Sequence, residues 1–139
     1  MLTEFLALSQ ILTGVEALDA ERGRGYLERL TSGPYDPLVI RILERFREMK
    51  DDASVVARVK EEILAADDLR PAVCQIILLW YTSAMQDTPA TPPVLRYGTE
   101  EEYFSGLAWQ IVGAHVPGLS GGYFGHWRYR PENAPKGKL

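Results

Sequence analysis

Cysteine is almost missing from this 139-residue chain: Cys74 stands alone, so no internal disulfide framework holds the fold. It lies in AVCQIILLW, a setting that reads as a buried, inert thiol. Histidine is nearly as scarce. His115 and His126 have no further ligand at short spacing, so the pattern of a metal site is missing. Long apolar runs are missing too: the densest, IILLWY, falls far short of the roughly 20 residues that span a bilayer. The opening MLTEFLALSQIL carries neither a basic region nor a small-residue cleavage pattern, so the chain as it stands is expected to remain cytoplasmic, without direct membrane insertion. There is no basic surplus. Fifteen Lys and Arg face nineteen Asp and Glu, a net charge of −4, which argues against nucleic acid as a partner.

What is present is ordinary for a folded domain: 46% hydrophobic, 24% charged, mean hydropathy −0.14. The length suits one domain with a sizeable core. Helical periodicity dominates. Leu2, Phe5, Leu6, Leu8, Ile11, Leu12 and Val15 share one face of a first helix, weakened at its end by Gly14. Asp19 is placed to cap a second helix running to about Leu30, with Tyr26, Leu27 and Leu30 inward. Gly23 and Gly25 each cost it about 1 kcal/mol, so packing must hold it. After TSGPYDP, Asp36 is expected to cap a third helix with Pro37 at its first position and Leu38, Val39, Ile42, Leu43 and Phe46 inward. A fourth helix turns Val55, Val56, Val59 and Ile63 to the core. A fifth, from ADDLRP to about Met85, is apolar nearly all round and is expected at the centre of the bundle.

The proline-rich QDTPATPPVLRYG reads as a connection crossing one face of the domain. Thr99 then opens a sixth helix through a capping box with Glu102, its buried face made by Phe104, Leu107, Ala108, Ile111 and Val112 before Pro117 ends it. No strand period competes. The expected fold is all-α, a single-domain bundle of about six helices over residues 1–116, followed by an irregular glycine- and aromatic-rich tail over residues 117–139.

Few residues suggest chemistry. Gly118-Leu119-Ser120-Gly121-Gly122 matches the G-x-S-x-G of a nucleophile elbow, but a helix rather than a strand precedes it, and His126 comes before Glu132, the wrong order. The tail glycines match neither a dinucleotide fingerprint nor a phosphate loop. The pairs Asp51-Asp52 and Asp67-Asp68 fall at interhelix turns and read as caps rather than catalytic carboxylates. No catalytic, cofactor-binding or metal-binding residue is assigned. The tail itself stands out: Tyr123, Phe124, Trp127 and Tyr129 crowd together with Arg128 and Arg130. Beyond residue 127, Arg128, Arg130, Lys136 and Lys138 oppose Glu132 alone, a surplus of three positive charges, so the rest of the chain carries −7. Such a segment cannot build a core. It either lies back over the bundle near Trp109 or wraps onto another protein, and aromatic and arginine residues are the usual anchors of interfaces.

Three stretches, in order, resemble one family: FLALSQILTGVEALDAERGRGYLERL its opening helical pair, LLWYTSAM its central helix, and EEYFSGLAWQIVGAHVPGLSGGYFGHW its closing helix and tail. The family is the small subunit of membrane-bound, FAD-containing sorbitol, gluconate, fructose and glucose dehydrogenases, and the resemblance covers roughly residues 4–131. It implies a noncatalytic accessory subunit of a sugar or polyol dehydrogenase complex. The FAD would reside in a large flavoprotein partner of the glucose–methanol–choline oxidoreductase (GMC) type, joined in many complexes by a cytochrome c subunit. It also implies that Tyr123, Phe124, Trp127, Arg128, Tyr129 and Arg130 grip the large subunit. This chain itself would then hold no cofactor and purify colourless. Two features depart from the family. No twin-arginine leader precedes the first helix, so a periplasmic location requires a removed leader or a partner that carries the chain. Ser120 stands where members often have a cysteine able to link to a partner. The rival expectation is a stand-alone helical interaction or scaffold protein, homo-oligomeric or not, that no longer serves a flavoprotein.

Overall fold

The computed structural model describes residues 1–87 and 94–113. Over them the chain is mostly helical, as expected, with one small hairpin that was not. Helix α1 spans Leu2–Thr13 and stops at Gly14, whose φ of 72° is the left-handed conformation that glycine adopts without strain. Helix α2 spans Ala20–Thr31, capped by the Asp19 carboxylate, which accepts from the Arg22 N–H at 2.7 Å. Helix α3 spans Asp36–Met49. Asp36 is its first residue rather than its cap. Tyr35 takes the cap position, and no side chain bonds the freed amides there.

Helix α4, Val55–Arg58, runs straight into a wide π-helical turn over Val59–Leu64. The extra residue in that turn changes the facing of the stripe. Val59 and Ile63 are fully buried as expected, but Val56 is 50% exposed. Helix α5 spans Arg70–Thr82 and ends at Ser83, a non-glycine residue with φ 55°. Met85 is therefore not helical; it lies in strand β1.

Helices α1, α2 and α3 pack on one another, and α5 packs against α1 and α2. The core centres on Phe5, Leu8, Tyr26, Leu30, Ile42, Phe46, Ile76 and Trp80, all at most 2% exposed. Each large side chain so buried contributes about 1.5–3 kcal/mol relative to exposure. Gly23 answers the question its sequence position raised. A Cβ there would meet Leu6 Cδ2 at 2.5 Å and Trp80 Cζ2 at 3.5 Å, so the glycine permits the close approach of α1, α2 and α5. The Tyr26 and Trp80 rings meet edge to face at 5.0 Å, and the Arg29 guanidinium lies 5.2 Å over the Tyr26 ring.

Helix α5 is not buried all round. Ala72, Val73, Gln75, Ile76, Leu79 and Trp80 face the core, whereas Ile77 and Leu78 are half-buried and Cys74 is exposed. The expectation of a buried thiol is thus overturned. The apolar run outnumbers the places that neighbouring helices offer on α5, and Cys74 falls on the remaining stripe with Pro71 and Leu78.

Strands β1, Ala84–Asp87, and β2, Val94–Tyr97, pair antiparallel with Ala84 opposite Tyr97 and Asp87 opposite Val94. Two helices follow where one was expected: α6, Glu100–Phe104, and α7, Leu107–Ile111. The break lies at Ser105-Gly106, where a Cβ on Gly106 would come within 2.6 Å of the Tyr81 carbonyl oxygen. That approach seats Leu107 at 5% exposure against α5 but turns Ile111 and Val112 outward, at 61% and 67% exposed. Among the described residues no helix is long and apolar enough to cross a membrane.

Candidate interaction surface

The hairpin has two edges, and they differ in every outward backbone group. On β1 all four such groups have side-chain partners. The Ala84 N–H donates to Thr82 Oγ1 at 3.3 Å, and the Ala84 carbonyl accepts from Gln75 Nε2 at 3.0 Å. Gln75 Oε1 accepts the Gln86 N–H at 2.8 Å, and the Tyr35 hydroxyl donates to the Gln86 carbonyl at 3.1 Å. The buried Gln75 amide thus stands in for a neighbouring strand, which is the local reason a polar residue sits on the inner face of α5.

Because Ala84 and Gln86 point outward, the ladder runs through Met85 and Asp87 to Arg96 and Val94, and Gly98 N–H donates to Ser83 O at 2.9 Å in the same register. The alternation leaves Leu95 and Tyr97 with N–H and C=O directed away from β1. No hydrogen bond from another described residue meets them. All four residues of β2 are exposed, Val94 by 54%, Leu95 by 44% and Tyr97 by 58%.

Around the end of β2 lies an aromatic cluster. Tyr103 meets Tyr97 at 5.9 Å, Phe104 at 6.0 Å and Trp109 at 5.4 Å between ring centroids, the first and last edge to face. Trp109 Nε1 donates to the Tyr103 carbonyl at 2.9 Å, fixing the indole. Helix α6 is held beneath by the expected capping box, Thr99 Oγ1 accepting from Glu102 N–H at 3.2 Å and Glu102 Oε2 accepting from Thr99 N–H at 3.0 Å. The same carboxylate pairs with Arg29 at 2.5 Å, and Arg22 donates to the Ser105 carbonyl at 3.1 Å, so α2 anchors α6. Glu100 and Glu101 stay exposed. Tyr97, Gly98, Thr99, Glu100 and Tyr103 line a depression of about 360 Å³.

A second depression, of about 490 Å³, lies between α3, α5 and β1, with Tyr35, Leu38, Cys74 and Leu78 on its walls. The acidic turn pairs act structurally. Asp52 Oδ1 accepts from the Ser54 N–H and hydroxyl at 2.8 Å, which holds its carboxyl below the usual range, and Asp68 pairs with Arg41 with the same effect. The Arg58 guanidinium likewise lowers Glu62. Burial pushes the Tyr26 phenol up to about 12, and its hydroxyl finds no hydrogen-bond partner among the described residues. No group of three His, Cys, Asp or Glu among the described residues is placed to hold a metal ion.

Tyr123, Phe124, Trp127, Arg128, Tyr129 and Arg130 lie outside the described residues, as do His115, Ser120 and His126. The sequence reading missed Leu95, Tyr97 and Tyr103 as surface. The alternation of VLRY was the available signal, masked by the prolines before it. No protein-family model matches the chain, and no curated protein does.

Proposed function

We propose that the protein is a noncatalytic accessory subunit of an FAD-dependent sugar or polyol dehydrogenase complex, stabilising a GMC-type flavoprotein that in many complexes passes electrons to a cytochrome c. The ordered resemblance of three stretches to the small-subunit family carries the substrate class and the partner. The exposed apolar and aromatic surface of β2, α6 and α7 supports an interaction role in general terms. It exposes Leu95, Tyr97, Ile111 and Val112, and the last two lie just before the chain leads into the tail. In this reading the tail residues Tyr123, Phe124, Trp127, Arg128, Tyr129 and Arg130 continue that surface onto the large subunit.

The test is co-expression with a candidate large subunit followed by pull-down, alongside denaturant melts. Trp127→Ala and Tyr123→Ala are each expected to weaken binding by about 2 kcal/mol or more while leaving the melt unchanged. A loss of roughly 3–5 kcal/mol of folding stability with binding intact would make the tail part of the core and overturn the interface. Failure to capture any large subunit would favour the stand-alone scaffold instead.

A further inference from the structure

We infer that the open edge of β2 is a strand-addition site and that its occupant is this chain's own segment 126–130. The inference holds with or without a flavoprotein partner. It rests first on the asymmetry of the hairpin. The side chains of Tyr35, Gln75 and Thr82 occupy every outward group of β1, whereas Leu95 and Tyr97 present theirs on a strand whose four residues are all exposed. An exposed, unpaired edge recruits extended chain, because each added residue pair satisfies backbone donors and acceptors at once.

Three observations select the occupant. Within the tail, His126-Trp127-Arg128-Tyr129-Arg130 alternates strictly, so an extended conformation puts Trp127 and Tyr129 on one side and the arginines on the other. The tether suffices. Trp109 stands two ring contacts from Tyr97, and the fourteen residues from Gly113 to His126 reach about 40 Å when extended. Charge agrees as well: the tail carries a surplus of three positive charges, and Glu100 and Glu101 are exposed just beyond β2.

The side-chain faces match in one arrangement. Tyr97 shares its depression with Glu100, so that face takes Arg128 and Arg130, with the tyrosine ring and the carboxylate both favouring a cation. The opposite face, with Val94 and Arg96, takes Trp127 and Tyr129. A backbone held this way keeps part of the tail pre-organised, which lowers the ordering cost of any later contact with a partner.

Amide hydrogen exchange on the full chain, read residue by residue, tests this. The Leu95 and Tyr97 amides are expected to be protected by about tenfold or more, independently of protein concentration. Because strand donors alternate, only one of Trp127→Pro and Arg128→Pro should abolish that protection, the other proline pointing its missing N–H outward. Core amides such as those of Ile42 and Leu79 should keep their protection in both variants, showing that the fold survives. Unprotected Leu95 and Tyr97 amides in the parent chain would overturn the inference. Protection that grows with protein concentration would overturn it too, since a second copy would then fill the edge, and so would indifference to both prolines.

Discussion

The two strands of the hairpin are each four residues long and share one ladder, yet one edge is closed and the other open. The closed edge borders α5 and α3, whose Gln75 and Tyr35 reach it with side chains of suitable length. The open edge has exposed residues throughout, and among the described residues no side chain hydrogen-bonds its outward groups. Burial explains the difference in treatment. Next to the core an unpaired N–H or C=O costs its full desolvation, so β1 required partners, whereas β2 could leave its groups to water or to another chain segment. Closed edges of this kind hold a fold together, and open ones make contacts.

Breaking the closed edge should have the largest effect. Gln75→Leu keeps the volume but leaves the Ala84 carbonyl and Gln86 N–H without their partner, at an expected cost of about 2–4 kcal/mol in a denaturant melt. A loss under about 0.5 kcal/mol would show that water replaces the amide readily and that the edge is not closed in the sense argued.

A second, somewhat smaller effect sharpens the packed side of the comparison through pH. Tyr26 is fully buried and its phenol is raised from an ordinary 10.0 to about 12. The folded state therefore holds its proton where the unfolded state releases it. The stabilisation is complete below pH 10 and is lost as pH rises through about 12, a decline of about 2–3 kcal/mol. Tyr26→Phe should remove that alkaline slope, and at pH 7 it should be neutral or mildly stabilising, because a buried hydroxyl without a partner disappears. An unchanged slope in melts at pH 9 and pH 11 would place the Tyr26 ring in solvent.

The smallest effect belongs to the open edge. Leu95→Thr places a strand-favouring, β-branched side chain on an exposed position and should change stability by no more than about 0.5 kcal/mol. If it destabilises the chain as much as Gln75→Leu, β2 is packed rather than open, and the contrast between the edges fails.

Local signals were legible wherever one residue type at one spacing does the work. The Asp19 cap, the Thr99–Glu102 box and the apolar stripes of α2 and α3 needed no neighbour to be read, because capping and helical periodicity act within about one turn. The stripes misled where a neighbour decided the facing. Val56 was left outward where α4 runs into the π-helical turn, and Ile111 and Val112 turned out after the break at Gly106. Asp36 lost its cap role to Tyr35, whose hydroxyl was drawn to a carbonyl 51 residues away.

By itself, then, the sequence determined that this protein is helical, roughly where its helices start and stop, and which residues are available to build a core. Each of those follows from interactions between residues a few positions apart. Only the tertiary structure decided which apolar residues were left outside, Cys74 among them, and that a proline-flanked stretch would pair as a hairpin. Both depend on how much surface the packed helices leave uncovered. The polar Gln75 on the inner face of α5 is the clearest instance: its reason for being there is a strand edge that does not exist until the chain has folded.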